Sequence, residues 1–520
     1  MPEIFAFIQA RTSSTRLPRK VLRTFTYNPN KTILDHLLDR TSKVFSKNKI
    51  ILLIPYGDSD LMEYAKSNNW QFVEGPENDV RQRFLLAANK YNPDWILRLT
   101  ADNPFLDITH LELLVQSTRF TNADLLSFQG LPLGATGEIF SRKSLENFPE
   151  EKLEDRHREH VSLHIKEFPD LFKTIKLKSL LTEEDLEISR KIRITIDEEA
   201  DFLMCQELYE SFLDNSLFGI KEIIQLYKES PKVFSINESV SQIKFSLPSY
   251  EFKLDRKILI LYGNVKDFGS GHLERMKLLY VYLLSLGYNC TLQEYSSNIP
   301  SGFHLYILDA RDSDIPIHLI HKKWICIDNQ GKVRETHTCF DSLPHPSISP
   351  EKFYNQILLP ELDQIGGRVN NKSKILIYAS NLDIPETDKL DQFAIQNFPN
   401  FSICRIGGLQ SKFKEISVLP RLYRMEFLRE IQDSEILMSY FGQSVLEALC
   451  LQKKVILYSI SDYHTTLAEY LQKFTEIPFI GNIFTNQNLL QMKTPNPDFK
   501  IQFENKGFEK LIGQILEELV

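Results

Sequence analysis

Several things are scarce in this sequence, and each scarcity excludes a class of protein. Its six cysteines, Cys205, Cys290, Cys326, Cys339, Cys404 and Cys450, are scattered with no C-x-x-C pair. That spacing argues against a zinc ribbon or a disulfide framework and fits buried thiols in a reducing compartment. No apolar run approaches the roughly 20 residues that a membrane-spanning helix needs. The opening "MPEIFAF" has neither the basic region nor the long apolar stretch of a secretory signal. A soluble, cytoplasmic protein is therefore expected. Positive charge is also in deficit: 61 Lys and Arg against 69 Asp and Glu give a formal net charge of −8. Nucleic acid is not an expected partner, because binding it without sequence preference needs a basic face.

What is present describes a globular enzyme-sized chain. With 42% hydrophobic and 25% charged residues it is neither disordered nor fibrous. Its 520 residues exceed one ordinary core, so two or three domains are expected. Short apolar runs at Ile4–Ile8, Ile50–Ile54, Trp70–Val73 and Trp95–Leu99 alternate with helical patterns at Ile33–Val44, Ser59–Ser67 and Asp79–Lys90. This alternation predicts an α/β fold, a parallel sheet with helices on its faces. The pattern restarts at "KILILYGN" (Lys257 to Asn264) and again at "KILIYAS" (Lys374 to Ser380), with later strands expected at Ser402–Ile406, Glu435–Ser439 and Lys454–Ser459. The expected domains are 1–245 and 246–520, the second split into lobes of about 256–365 and 366–520.

The first strand empties into "QARTSSTRLPRKVL", where Arg11, Arg16, Arg19 and Lys20 cluster among small hydroxyl residues. In an open α/β sheet, ligands bind beyond the carboxyl ends of the strands. Small Ala10, Ser13 and Ser14 let backbone N–H groups approach anionic oxygens, and Arg11, Arg16 and Lys20 supply charge-assisted hydrogen bonds suited to a polyphosphate. The glycine-rich G-x-x-x-x-G-K phosphate loop is absent. On charge alone a solvated basic turn would be the expectation.

The fuller pattern, Q-A-R-x-x-S-x-R-L-P-x-K-V-L, resembles the signature of the nucleotide-sugar cytidylyltransferases, most closely their spore-coat polysaccharide branch. Further motifs follow in that family's order: "GPENDVRQRF" (Gly75 to Phe84), "LRLTADNPFLD" (Leu97 to Asp107), "LPLGATGEIFSRKSL" (Leu131 to Leu145), "REHVSLHI" (Arg158 to Ile165) and "IRITIDEEADF" (Ile192 to Phe202). The resemblance covers roughly the first 240 residues. It implies a Rossmann-like domain that transfers a cytidylyl group from CTP to an acidic, nonulosonic-type sugar and releases pyrophosphate. Gln9, Arg11, Ser14, Arg16, Lys20, Asp79 and Arg83 would hold the nucleotide, with Lys20 and Arg16 steadying the leaving group. Asp102 and Asp197, both expected after β-rich runs, would hold Mg²⁺, which wants hard oxygen ligands and keeps several waters. Glu138, Arg158, Glu159 and His160 would face the sugar. His160 reads equally well as a buried hydrogen-bonded residue.

A second constellation, "GSGHLERMKLLYVYLLSLG", puts Gly269 and Gly271 before an amphipathic helix that starts with His272 and Arg275. A helix N-terminus disfavours a protonated imidazole, leaving it able to accept a proton. "GSGHLER" resembles the G-x-G-H-x-x-R motif of nucleotide-sugar hydrolases and related two-lobed (GT-B) glycosyltransferases, with the pseudaminic-acid-pathway UDP-sugar hydrolase as nearest relative. By that resemblance His272 would assist water attack on a UDP-sugar, Arg275 would meet the sugar, and Gly271, Gly442, Ser444 and Glu447 would hold the nucleotide. The sequence departs from that family at Tyr440-Phe441-Gly442, at "YASNLD" and at His464. A glycosyltransferase, or a sugar-nucleotide-binding domain without catalysis, stays open for this half, as does a homodimer.

Overall fold

The computed structural model describes residues 3–519 apart from 214, 241–253, 266–268, 344, 347–357, 359–372, 474 and 486–506. The expected domain boundary near 245 and the lobe division near 365 lie outside the described residues. The chain divides into two compact units, Met1–Lys253 with Leu284–Gly287, and Leu254–Leu283 with Tyr288–Val520.

The N-terminal unit is built on a seven-stranded sheet. Its order is Gln71–Gly75, Ile50–Pro55, Ile4–Gln9, Trp95–Thr100, Glu138–Ser141, Leu125–Gln129 and Thr174–Lys178. The first four strands are parallel, as the alternating pattern predicts. Glu138–Ser141 runs antiparallel to both of its neighbours, so the sheet is mixed rather than wholly parallel. Gly137 admits that reversed strand: a Cβ there would lie 2.6 Å from the Arg98 carbonyl oxygen.

The helices follow from local chemistry. Ile33–Val44 starts at Thr32, whose side chain and that of Asp35 cap each other's backbone N–H. Asp58 and Asp79 cap Ser59–Ser67 and Val80–Tyr91. One face of the sheet buries Phe7, Phe84, Ile96, Leu125 and Phe140. A second cluster gathers Phe25, Phe105, Ile194, Ile196, Tyr209 and Phe218. The segment 192–196, expected as a strand, is not one. It runs extended outside the sheet, joined by the Leu133–Arg193 bridge and by Ile196 N–H donating to the Asp102 carbonyl at 3.0 Å. β-branched residues favour extension here, yet packing supplies no ladder partner.

The C-terminal unit holds two wholly parallel sheets. One orders Tyr288–Glu294, Leu254–Tyr262, Leu305–Asp309, Trp324–Ile327 and Thr338–Phe340. The other orders Ile416–Leu419, Ser402–Gly407, Lys374–Ser380, Ile436–Tyr440, Lys454–Ser459 and Phe479–Asn482. The last helix, Gly507–Leu519, returns to the first of these sheets, where Glu518 accepts from Lys323 Nζ and Thr338 Oγ1. All six cysteines are free thiols, four buried and two half-buried. Among the described residues no helix is long and apolar enough to cross a membrane.

Candidate functional site

Strand Ile4–Gln9 delivers the chain into the basic loop at the carboxyl edge of the first sheet. The loop closes on itself through Arg19 N–H donating to the Thr12 carbonyl at 3.0 Å, with Arg19 in the left-handed region at φ 55°. Three side chains anchor it from outside. Asp58 accepts from both the N–H and the hydroxyl of Thr12 at 3.0 and 2.9 Å, Glu77 accepts from Ser13, and Asp60 pairs with Arg19 at 2.8 Å. A loop held this way needs little reordering when an anion arrives. Arg83 lines the cleft in front of this loop. It is buried under the loop, donating to the carbonyls of Ala10 and Leu53 at 3.3 and 3.1 Å, and burial draws its pKa down to about 10.

Lys20 opens a short 3-10 turn, Lys20–Leu22, and points into the cleft wall. Its ammonium donates to Asp102 Oδ2 at 2.7 Å, Asp197 Oδ1 at 2.9 Å and the Ile196 carbonyl at 2.6 Å. Burial by itself would lower the Lys20 pKa, but the two carboxylates outweigh it and raise it. For Asp197 the opposing pulls are burial, which raises, and Lys20 with Arg193, which together leave it lowered. The expected pairing of Asp102 with Asp197 is thus present, although the second comes from an irregular segment. Arg16 lies at the rim, 3.7 Å from Asp197, with over half its side chain exposed. Gln9, Arg11, Ser14, Asp79, Arg158 and Glu159 line the same cleft. Asp79 both caps its helix and accepts from Arg158 at 3.0 Å, which ties the two predicted residues together.

Glu138 and His160 sit beside this cleft rather than in its lining. Glu138 is held between Lys166, Ser162 at 2.5 Å and Arg98 at 3.7 Å. Burial pushes its pKa up, but Lys166 and Arg98 prevail and hold it down at about 2, so it is ionised and a poor proton acceptor. His160 is half-buried at the end of helix Asp155–Glu159, and burial lowers its pKa.

In the C-terminal unit, a second cleft is lined by Gly271, His272, Arg275, Arg424, Gly442, Ser444, Glu447 and His464. His272 Nδ1 donates to Asp309 Oδ1 at 2.5 Å, which leaves the lone pair of a neutral ring on Nε2. Arg275, expected to meet a sugar, is buried and directed inward. It donates to Asp309 through Nε and Nη2, each at 2.5 Å, to Asp328 at 2.9 Å and to Ser342 at 2.8 Å. Burial opposes ionisation of Asp309, yet Arg275 and His272 hold its pKa at about 2. Ser444 lies 3.2 Å from Ser439 at the start of helix Gln443–Cys450. Glu447 is fully buried; Arg424 pairs with one carboxylate oxygen, and Oε2 has no hydrogen-bond partner. Burial raises the Glu447 pKa, with Arg424 offsetting part of the effect. His464 bonds Ser461 at 2.7 Å, and burial lowers its pKa to about 4.

Sequence reasoning missed Asp58, Arg98, Arg193, Asp309 and Arg424. Arg98 and Asp309 did carry a signal. One is a charge inside an otherwise apolar strand, "WILRLT", and the other ends the strand "LYILD".

Comparison with known proteins places these observations in context. Residues 5–240 match the family model for cytidylyltransferases. The chain is 34% identical over 244 residues to an uncharacterized protein of Methanocaldococcus jannaschii, covering 46% of this chain and 96% of that protein. It is 30% identical over 244 residues to the spore coat polysaccharide biosynthesis protein SpsF of Bacillus subtilis, covering 46% of this chain and 100% of that protein. Among solved structures, a cytidylyltransferase from Leptospira borgpetersenii is 27% identical, covering 47% of this chain and 100% of that one with a TM-score of 0.41.

Proposed function

This chain belongs to the cytidylyltransferase family through its N-terminal half, and on that premise we propose that the N-terminal unit joins CTP to a hydroxyl of an acidic, nonulosonic-type sugar. In this reading the sugar hydroxyl oxygen bonds to the α-phosphorus of CTP and the α–β bridging P–O bond breaks. Pyrophosphate leaves, and the hydroxyl proton passes to solvent. Negative charge builds on the phosphoryl oxygens, so catalysis rests on position and electrostatics.

The single observation carrying the reading is the Lys20 ammonium held between Asp102 and Asp197 at the mouth of the basic loop. Arg11, Arg16 and Lys20 put three cations along the path of a triphosphate, and the anchored loop offers its backbone N–H groups. Mg²⁺ is the proposed cofactor. Asp102 and Asp197 fit it, since they offer hard oxygens on the cleft wall and already share one cation there. Among the described residues no group of three or more ligand side chains exists, which suits an ion that keeps most of its waters. When bound, such an ion neutralises charge on the phosphoryl oxygens. Pyrophosphate release from CTP with a panel of sugar acids tests this reading; an unchanged rate in Lys20→Ala would overturn it.

For the C-terminal unit the proposal is water attack on a UDP-sugar of the same surface-polysaccharide pathway, in the two-lobed manner of GT-B proteins. His272, oriented by Asp309, would take the water proton as the sugar–oxygen bond to UDP breaks. The unpartnered, buried Glu447 Oε2 favours a ligand that brings hydroxyl donors, such as a ribose. UDP release by the wild type and not by His272→Ala supports this; release from none of the UDP-sugars tried overturns hydrolysis.

A further inference from the structure

The sheet built around Leu254–Tyr262 sets two of the six cysteines side by side. Strands Trp324–Ile327 and Thr338–Phe340 are parallel neighbours, and their register puts Cys326 directly opposite Cys339. Matched positions on neighbouring strands point to the same face of a sheet, and both cysteines pack against the cluster that holds Tyr306, Leu308 and Trp324. Strand spacing places their Cα atoms about 4.8 Å apart, inside the span of roughly 4.4–6.8 Å that a disulfide bridges. Among the described residues the other two strand cysteines have different neighbours: Cys290 stands opposite Ile258, and Cys404 between Leu376 and Ser417.

The two thiols differ in what reaches them. Cys326 is fully buried, and burial pushes its pKa up, with Cys339 adding to the effect. Cys339 is half-buried on the edge strand of the sheet. Arg334, which also pairs with Asp341, lies close enough for its charge to attract a Cys339 thiolate. An oxidant from solvent therefore meets Cys339 first, with the Cys326 sulfur beside it as the resolving thiol. Small apolar side chains would fill the same core space, so packing alone does not require a thiol at both positions.

Past the cysteines, the two strands end on the support of the second cleft. Asp328 follows Ile327, and Ser342 follows Asp341 shortly after Cys339. The N–H and hydroxyl of Ser342 donate to Asp328 at 2.6 and 2.7 Å. Arg275 donates to Ser342 at 2.8 Å and pairs with Asp328 at 2.9 Å. A bond between Cys326 and Cys339 would fasten the edge strand at the root of that network.

We propose that Cys326 and Cys339 form a redox modification site, in which a hydroperoxide closes the pair into a disulfide that fastens the edge strand and a dithiol reopens it. Peroxide oxidises the Cys339 sulfur to a sulfenic acid, the O–O bond breaking and one water leaving. The Cys326 sulfur then bonds to the Cys339 sulfur, the S–O bond breaks, and hydroxide leaves with the Cys326 proton as a second water. Two electrons pass from the thiols to the peroxide. In the reverse step a dithiol supplies two electrons and two protons and becomes a disulfide itself. The site stands independently of the reactions proposed for either cleft.

The test uses the full chain, oxidised with hydrogen peroxide under native conditions, alkylated with N-ethylmaleimide and digested for mass spectrometry. The expected product is a peptide pair joined through Cys326 and Cys339 and separated again by dithiothreitol. Cys326→Ala is expected to abolish the cross-link and let Cys339 run on to sulfinic acid. Cys339→Ala should leave Cys326 unoxidised and open to alkylation only after denaturation. Amide hydrogen exchange over residues 338–342 is expected to be about tenfold or more slower in the oxidised wild type than in the reduced one, and unaffected by peroxide in either variant. A wild-type Cys339 that does not react, that reaches sulfinic acid without cross-linking, or that joins another cysteine would overturn the pairing. Unchanged exchange in the cross-linked chain would overturn the fastening of the strand.

Discussion

Lys20 Nζ lies 2.7 Å from Asp102 Oδ2 and 2.9 Å from Asp197 Oδ1, so a single ammonium joins two carboxylates from distant parts of the chain. In the proposed reading a divalent ion would use these same carboxylate oxygens, so the ammonium and the ion would compete for them until nucleotide phosphates gave Lys20 another partner. Lys20→Met is therefore expected to act in opposite directions on two measurements. Turnover of CTP should fall about 10²–10³-fold, the range for losing one electrostatic contact to a developing oxyanion. Binding of Mn²⁺ to the nucleotide-free protein, followed by electron paramagnetic resonance, should tighten. Weaker Mn²⁺ binding in the variant would refute the competition.

Behind Asp197 stands a buried ion pair that holds it in place. Asp201 is fully buried and accepts from Arg193 Nε at 3.1 Å, from Asn237 at 2.9 Å and from the backbone N–H groups of Asp197 and Glu198 at 2.9 and 3.1 Å. Removing one member leaves the buried Arg193 guanidinium without its main partner. Asp201→Ala is expected to cost about 3–5 kcal/mol in urea denaturation, the range for a broken buried pair. Replacing both partners, Arg193→Met with Asp201→Leu, should cost less than the single change. A single-variant cost below about 1 kcal/mol would show that the pair is not the anchor.

These two relationships also mark what the sequence could and could not convey. Strand and helix positions were legible wherever periodicity was strong: Ile33–Val44, Ser59–Ser67, Lys374–Ser380 and Lys454–Ser459 have the bounds their patterns predict. The antiparallel Glu138–Ser141 strand was not, because its direction depends on Gly137 admitting a close backbone approach, a tertiary fact. The β-branched run 192–196 was misread for the converse reason, since extended propensity without a ladder partner makes no strand. Lys20, Asp102 and Asp197 were legible as members of motifs. Arg275 was legible as a neighbour of His272 in the cleft, from a spacing that puts both on one helix turn, while only packing reveals that its donors are taken up by Asp309 and Asp328.

Glu138 makes the stability of the N-terminal unit depend on acid. Its pKa is lowered from 4.5 to about 2 in the folded protein, so the unfolded chain takes up the proton first as pH falls. The stabilisation is fully present above about pH 5 and is lost as pH falls from there towards 2. A shift of that size corresponds to about 3 kcal/mol. Comparing the wild type with Glu138→Gln by denaturation across pH 2–7 should give a gap that is constant above about pH 5 and closes towards pH 2. A gap independent of pH would mean that Lys166 and Arg98 do not stabilise the ionised carboxylate.

The His272–Asp309 pair separates a histidine oriented for proton transfer from one that merely packs at a helix start. With Nδ1 donating to Asp309 at 2.5 Å, the ring presents Nε2 as its basic atom, and Arg275 fixes Asp309 through two further bonds. Asp309→Asn keeps the size of the side chain and removes its charge, so the ring loses the acceptor that fixes its tautomer. UDP release from an accepted UDP-sugar is expected to fall about 10²–10⁴-fold, the usual worth of a positioned acid–base group. UDP affinity, measured by calorimetry, should change little, because Glu447 and Ser444, the residues proposed to hold the nucleotide, lie on a different helix, Gln443–Cys450. The converse result, intact UDP release with weakened UDP binding, would place Asp309 in holding the nucleotide and take the proton transfer away from His272.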